Sequence, residues 1–197
     1  MSNRHVVVIA GPSGSGKNSI LQAFLERFKN CARLVTATTR APREGEREGV
    51  DYYFFSQEKF KEEMEKGMIP EHRFVSALGT YYGTYVPDLE KKLASGRIVL
   101  AQVDVEGAEG ASMFKERYGA VTIFVTPGST EEFERRVRAR NPSMSEDELQ
   151  KRMRIAEKEM RDYANKYDYQ VMNADGKLNE AVEQVVAILK KEGYNLE

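Results

Sequence analysis

Cysteine is almost missing from this sequence. Cys31 stands alone among 197 residues, so no intramolecular disulfide can form, which suits a reducing compartment. Cys31 itself reads as a small residue of a loop or strand rather than a nucleophile. Histidine is scarce too: His5 and His72 are the two present, and neither falls into a nucleophile–base arrangement. Long apolar runs are lacking. Val6 to Ala10 is only a strand in length, far below the roughly 18 residues of a membrane span, and it lacks the flanking pattern of a secretory signal. Charge of one sign is lacking as well. Thirty basic residues face 31 acidic ones and the two kinds interleave, so there is no overall positive field for nucleic acid. Any phosphate recognition must be local. These absences predict a cytoplasmic protein with no membrane and no nucleic-acid partner; no protein partner is inferable.

What is present is enough for a core. At 41% hydrophobic, a chain of this length buries sufficient apolar surface to fold without a disulfide or a structural metal. His5 to Ala10 reads as a buried strand, and Ser19 to Phe28 as a helix with Ile20, Leu21, Phe24, Leu25 and Phe28 on one face. Arg97 to Val103 and Ala120 to Val125 are further β-branched runs, and Tyr169 to Met172 is a short last strand. Leu178 to Lys191 reads as a closing helix with Ala181, Val182, Val185, Ile188 and Leu189 inward. The alternation predicts an α/β fold with a parallel sheet. Two stretches interrupt it. Residues 36–86 are rich in Tyr, Thr, Arg and Gly, with short strand signals and one helix near 57–67. Residues 131–162 are densely charged, with helical segments either side of Asn141-Pro142-Ser143 and a capping box from Ser145 and Glu148. Both read as insertions on one core made of 1–35, 87–130 and 163–197.

Between the first strand and the first helix lies Gly11-Pro12-Ser13-Gly14-Ser15-Gly16-Lys17. Glycines let the backbone curl so that successive N–H groups face a polyphosphate. The helix N-terminus adds positive potential, and Lys17 reaches the outer phosphates. This is P-loop spacing in its expected strand–loop–helix context. One position departs: the pattern has Ser or Thr after the lysine to meet Mg²⁺, and here it is Asn18. An amide oxygen also ligates hard cations, and Ser19 follows, so Asn18 or Ser19 is the metal-side candidate.

Asp104-Val-Glu-Gly107 and Asn165-Lys-Tyr-Asp168 look like the two further signatures of a small GTPase. Context separates them. A guanine-reading Asn and Asp should follow a buried strand, whereas Asn165 ends the charged segment Glu157 to Ala164 and precedes the strand. The missing hydroxyl after Lys17 also counts against that reading.

The most informative stretch is Thr36-Ala-Thr-Thr-Arg40-Ala-Pro-Arg43-Glu-Gly-Glu46-Arg-Glu-Gly49-Val-Asp-Tyr52-Tyr-Phe54. Two arginines three apart, beside Pro and Gly, suit a loop that grips a phosphate bidentately. Here the chain resembles the guanylate kinase family, and the likeness continues through Glu71, Tyr81-Tyr82-Gly83-Thr84, Asp104 and Gly107, the segment of Arg136, Arg140 and Arg152, and Asn173. It covers nearly the whole chain, although Glu71 to Tyr82 is slightly longer than the family spacing. The resemblance implies a P-loop nucleotide kinase with a parallel-sheet core, a GMP-binding insertion at 36–86 and a helical lid at 131–162. It implies that Arg40, Arg43, Tyr52 and Tyr82, with Glu46, serve the GMP phosphate, and that Thr36, Glu71, Thr84 and Asp104 read the guanine. A carboxylate such as Glu71 suits the N1–H and exocyclic amine of that base, and it is left unpaired against adenine.

The arginines of 131–162 read two ways. As a bare charge run, Arg136, Arg138, Arg140, Arg152 and Arg154 form solvated faces paired with Glu132, Glu134 and Glu157. The resemblance instead makes Arg136, Arg140 and Arg152 lid cations that close over ATP, with Asn173 on the adenine side. It also exposes a second departure, since the first acidic position of the Leu-x-Asp-x-Asp pattern is Gln102. The implied chemistry is Mg²⁺-dependent transfer from ATP to GMP. It needs no general base, because the attacking phosphate oxygen is already anionic; Lys17, Arg40 and the lid arginines supply positive charge. Two rivals stay open: a related nucleotide-binding module with weak or no transfer, favoured by Asn18 and Gln102, and the same fold acting on another nucleoside monophosphate.

Overall fold

The structure, a computed structural model, describes residues 5–76, 78–103 and 108–197. Its centre is a parallel sheet in the order β2-β7-β1-β8-β9, formed by β1 (Val6–Ala10), β2 (Cys31–Arg33), β7 (Ile98–Gln102), β8 (Val121–Pro127) and β9 (Tyr169–Asn173). Strand alternation divides the core in two. Val7, Ile9, Leu100, Ile123 and Val171 face α1 (Lys17–Arg27) and α7 (Leu178–Lys191). Val6, Val8, Val99 and Phe124 face the opposite way, toward Leu89 of α3 (Val86–Ala94) and Phe114 of α4 (Ala108–Tyr118). In α7 the inward stripe runs through Val186, which is buried, while Ile188 is only half-buried. Ile188 still packs against this core, and Val186 joins the stripe because it lies four residues after Val182 and shares its face.

β1 is flanked by β7 on one side and β8 on the other. Strand order therefore reverses at β1, and the crevice beyond its carboxyl end is where open α/β sheets bind ligands. The glycine-rich loop occupies that position. No helix among the described residues is long and apolar enough to cross a membrane.

A second sheet, ordered β4-β3-β6-β5, is built within 36–86 from β3 (Ala37–Thr38), β4 (Tyr53–Phe54), β5 (His72–Val75) and β6 (Thr80–Gly83). Its register pairs Thr38 with Tyr82 and Phe54, and Tyr82 with Arg73. Its other face carries Ala37, Tyr53 and Tyr81, which pack with Phe60 of α2 (Gln57–Glu65) and with Ile69. The period of two thus separates an apolar face under α2 from a polar one.

The charged stretch forms α5 (Thr130–Arg140) and α6 (Glu146–Tyr163), started by Ser129 and Ser145, whose hydroxyls accept the N–H groups of Glu132 and Glu148. The charged segment expected at Glu157 to Ala164 is the second half of α6, which ends at Tyr163, followed by a 3-10 turn over Ala164–Lys166. The two helices share a small core of Phe133, Val137, Leu149, Met153 and Ala156.

Candidate functional site

The loop after β1 is packed too closely at Gly11 and Gly16 to admit a side chain. Gly16, the N-cap of α1, has φ 90°, and a Cβ there would lie 2.0 Å from Nδ2 of Asn173. Gly11, with φ 142°, would place a Cβ 2.2 Å from the Val125 carbonyl. The Asn173 amide donates to the Ser15 carbonyl at 3.0 Å, so the end of β9 props the loop. Asn173 is buried, and its side chain is directed at the backbone of the loop. Lys17 is also buried; its ammonium donates to the Gly11 carbonyl and, at 3.0 Å, to that of Pro12. Pro12 is buried, Ser13 exposed and Gly14 half-buried, while Asn18 and Ser19 are exposed at the start of α1.

The polar face of the second sheet collects most of the acceptor candidates. Tyr52, two residues before Phe54, has its ring 5.8 Å from that of Phe54 and 5.9 Å from that of Tyr82. Glu71 and Thr84 flank the same ladder, and the Thr84 hydroxyl donates to Glu71 Oε2 at 2.7 Å. Thr36 precedes β3, and its carbonyl accepts the Tyr53 N–H. Arg40 lies over the Tyr52 and Phe54 rings and meets Glu46 through both terminal nitrogens, at 2.8 and 2.9 Å. Glu46 also accepts the Arg43 N–H at 2.7 Å. Its carboxyl is held below the usual range first by the Arg40 hydrogen bond. Glu46 is thus the carboxylate that orients Arg40. The Arg43 guanidinium is exposed and makes no hydrogen bond or ion pair among the described residues. Burial, and then the neighbouring Tyr82, push the Tyr52 phenol up. Asp104 lies outside the described residues, as do Gly107 and Ala77.

Between the loop and the charged helices runs a cleft of about 100 Å³ whose lining includes Ser13, Gly14, Phe133, Arg136, Arg140 and Arg152. The three arginines differ. Arg136 is half-buried and tied down: it donates to the Asn173 carbonyl at 2.8 Å and pairs with Asp175. Arg152 is exposed and pairs with Glu148. Arg140 is exposed and makes no hydrogen bond or ion pair among the described residues. Arg138 pairs with Glu134 and Glu146 on the surface.

The family model described as guanylate kinase matches residues 3–192. The chain belongs to the guanylate kinase family. It is 41% identical over 187 residues to the guanylate kinase of Paramagnetospirillum magneticum, covering 95% of this chain and 84% of that one. With the guanylate kinase of Prochlorococcus marinus it shares 34% identity over 190 residues, covering 96% and 98%. The crystal structure of guanylate kinase from Anaplasma phagocytophilum superposes with a TM-score of 0.68 at 29% identity, covering 99% of this chain and 89% of that chain. A shikimate kinase from Acinetobacter baumannii, at TM-score 0.54 and 14% identity with coverage of 98% and 97%, shares the fold.

For this guanylate kinase family chain, the small-GTPase likeness dissolves in the contacts of Asp168. Its carboxylate accepts from the Thr122 N–H at 2.9 Å, the Thr122 hydroxyl at 2.8 Å and Lys115 at 2.6 Å. It clasps β8 to β9 at the end of the sheet away from the loop. Cys31, in β2, has its thiol pushed up to about 11 by burial. His72 is exposed on β5, and His5 Nδ1 is buried with no hydrogen-bond partner. Two carboxylates went unnoticed in the sequence. Asp175, two residues beyond Asn173, holds Arg135 and Arg136. Asp88, in the first turn of α3, is buried among partners from three parts of the chain. A first-turn aspartate signals a helix start and nothing more.

Asn18, Ser19 and Gln102, the residues expected on the metal side, are all neutral. Among the described residues no group of three or more His, Cys, Asp or Glu converges to hold an ion. Gln102, at the end of β7 beside Ile9, has a buried Oε1 without a hydrogen-bond partner. An orphaned carbonyl oxygen near the loop, with the amide of Asn18 at the helix start, fits a hard cation held mainly by nucleotide phosphates.

Proposed function

We propose that this chain transfers the γ-phosphoryl group of ATP to GMP, giving ADP and GDP. The observation that carries the reading is the polar face of the second sheet. Arg40 locked by Glu46 against Tyr52, with Tyr82 beside it, offers a cation and two phenols to a phosphate, and the Glu71–Thr84 pair offers acceptors to a purine edge. Family membership and the P-loop supply the donor half.

In this reading a GMP phosphate oxygen attacks the γ-phosphorus in line. The new O–P bond forms as the bond to the β,γ-bridging oxygen breaks, and ADP leaves with that electron pair. The loop N–H groups and Lys17 bind the donor phosphates. Arg43 and Arg40 place the acceptor, and Arg136, Arg140 and Arg152 add positive charge from the lid. Bound Mg²⁺ would neutralise donor phosphate charge, with Asn18, Ser19 and Gln102 as its neutral neighbours. Residues 36–86 act as the acceptor insertion and 131–162 as a lid that excludes water. Soluble substrates such as ATP and GMP support a cytoplasmic location for this activity.

The deciding experiment measures ADP formation from MgATP with GMP, AMP, CMP, UMP and dTMP in parallel. Turnover confined to GMP is expected. Binding of GMP without turnover would instead favour the nucleotide-binding module, to which the neutral Asn18 and Gln102 point.

A further inference from the structure

The acceptor residues and the phosphate loop sit on different units of the chain, so transfer requires those units to be placed against each other. The insertion leaves the core after Val35 and returns through Tyr85 into α3. At that double crossing stands Asp88, buried. One carboxylate oxygen accepts the Val35 N–H at 2.9 Å and also meets Lys92. The other accepts the hydroxyl of Tyr53, in β4 of the insertion, at 3.1 Å. Lys92 in turn donates to the Arg33 carbonyl at 2.7 Å, at the end of β2. The Tyr53 ring lies 4.7 Å from that of Tyr85, the residue that leads into α3. The outgoing chain, the insertion and the returning chain therefore converge on one carboxylate.

We propose that Asp88 is a positioning residue that fixes the pivot about which the acceptor insertion moves toward the phosphate loop. The inference rests on the transfer reading above. A hinge is usually a few residues at element ends, and these crossings are such ends. Free rotation there would let the acceptor phosphate wander, and in-line attack tolerates little misplacement. A buried carboxylate that holds both crossings and one insertion phenol restricts that freedom. Because the acceptor residues ride on the insertion itself, the pivot governs the chemical step rather than capture of GMP.

The test starts with turnover of GMP by the wild-type protein, then compares Tyr53→Phe, which removes one hydroxyl and leaves the ring packing. In that variant kcat is expected to fall roughly threefold to tenfold, while the dissociation constant for GMP, measured by calorimetry, stays within about twofold of the wild type. Asp88→Ala strips partners from a buried site and is a poor test if it fails to fold. Asp88→Asn still accepts from Val35 and donates to the Tyr53 oxygen, and it is expected to keep a kcat near the wild type. Spin labels at Lys61→Cys on α2 and Ala187→Cys on α7 give a second readout. With GMP and a non-hydrolysable ATP analogue bound, Tyr53→Phe should show a wider distance distribution than its parent. Unchanged kcat, or a kcat loss matched by equal weakening of GMP binding, overturns the pivot. Absent turnover in the wild type sinks the transfer reading instead, and the distance distributions then decide the pivot alone.

Discussion

Arg40 and Glu46 meet end-on through two hydrogen bonds, and the carboxylate takes the Arg43 N–H as well. One acidic side chain thereby sets both the plane of the first arginine and the backbone that presents the second. Planar, two-point pairing of this kind fixes orientation more than a single contact does.

Replacing Glu46 with alanine should therefore raise KM for GMP roughly tenfold or more, with KM for ATP nearly unchanged. Steady-state kinetics with each substrate varied in turn separates the two. Equal changes on both sides would show that Glu46 serves the whole fold rather than the acceptor loop.

Asn173→Asp exchanges a donor for an acceptor against the Ser15 carbonyl. The uncompensated buried groups should cost about 1–3 kcal/mol of stability, and nucleotide affinity should fall on the ATP side alone. Thermal melts with and without ATP measure both; unaltered ATP stabilisation would argue that the prop is dispensable.

The neutral metal side predicts that the nucleotide-free protein has no measurable affinity for Mn²⁺ used as a paramagnetic substitute. Binding should appear when ATP is added, and Asn18→Ser should lower the Mg²⁺ concentration needed for half-maximal activity. Tight Mn²⁺ binding without nucleotide would contradict the assignment.

Alkaline pH reports on buried phenols. Burial, and then the charge of Asp88, push Tyr53 from 10.0 to about 12, and burial does the same to Tyr167. Their raised values mean that the folded state keeps protons the unfolded chain would lose. The associated stability is complete below pH 10, declines as the unfolded phenols ionise, and is gone above 12. Ultraviolet titration should show these phenols ionising late, and Tyr53→Phe should remove one of them.

Much of this was legible because it is local. The loop from Gly11 to Lys17 announces itself through glycine spacing, and the hairpin partners Glu71 and Thr84 lie in one short block. Contacts across long separations were not legible. The resemblance puts Asn173 on the adenine side, but nothing in the sequence shows that its amide meets Ser15, and no pattern links Val35, Tyr53 and Asp88. The arginines of the proposed lid show the same limit: Arg136, Arg140 and Arg152 are equivalent as letters, but Asp175 restrains the first and Glu148 the third. The resemblance groups Glu46 with the phosphate-side residues, and only the fold of residues 40–46 reveals which arginine it holds.

The prop beneath the loop also sets an order of assembly. A chain emerging from the ribosome carries all of Gly11 to Lys17 long before Asn173 is made. Until the last strand docks, Ser15 lacks its amide partner and the turn at Gly16 lacks the neighbour that shapes it. The finished shape of the loop thus waits on the docking of β9, although its own residues are made first.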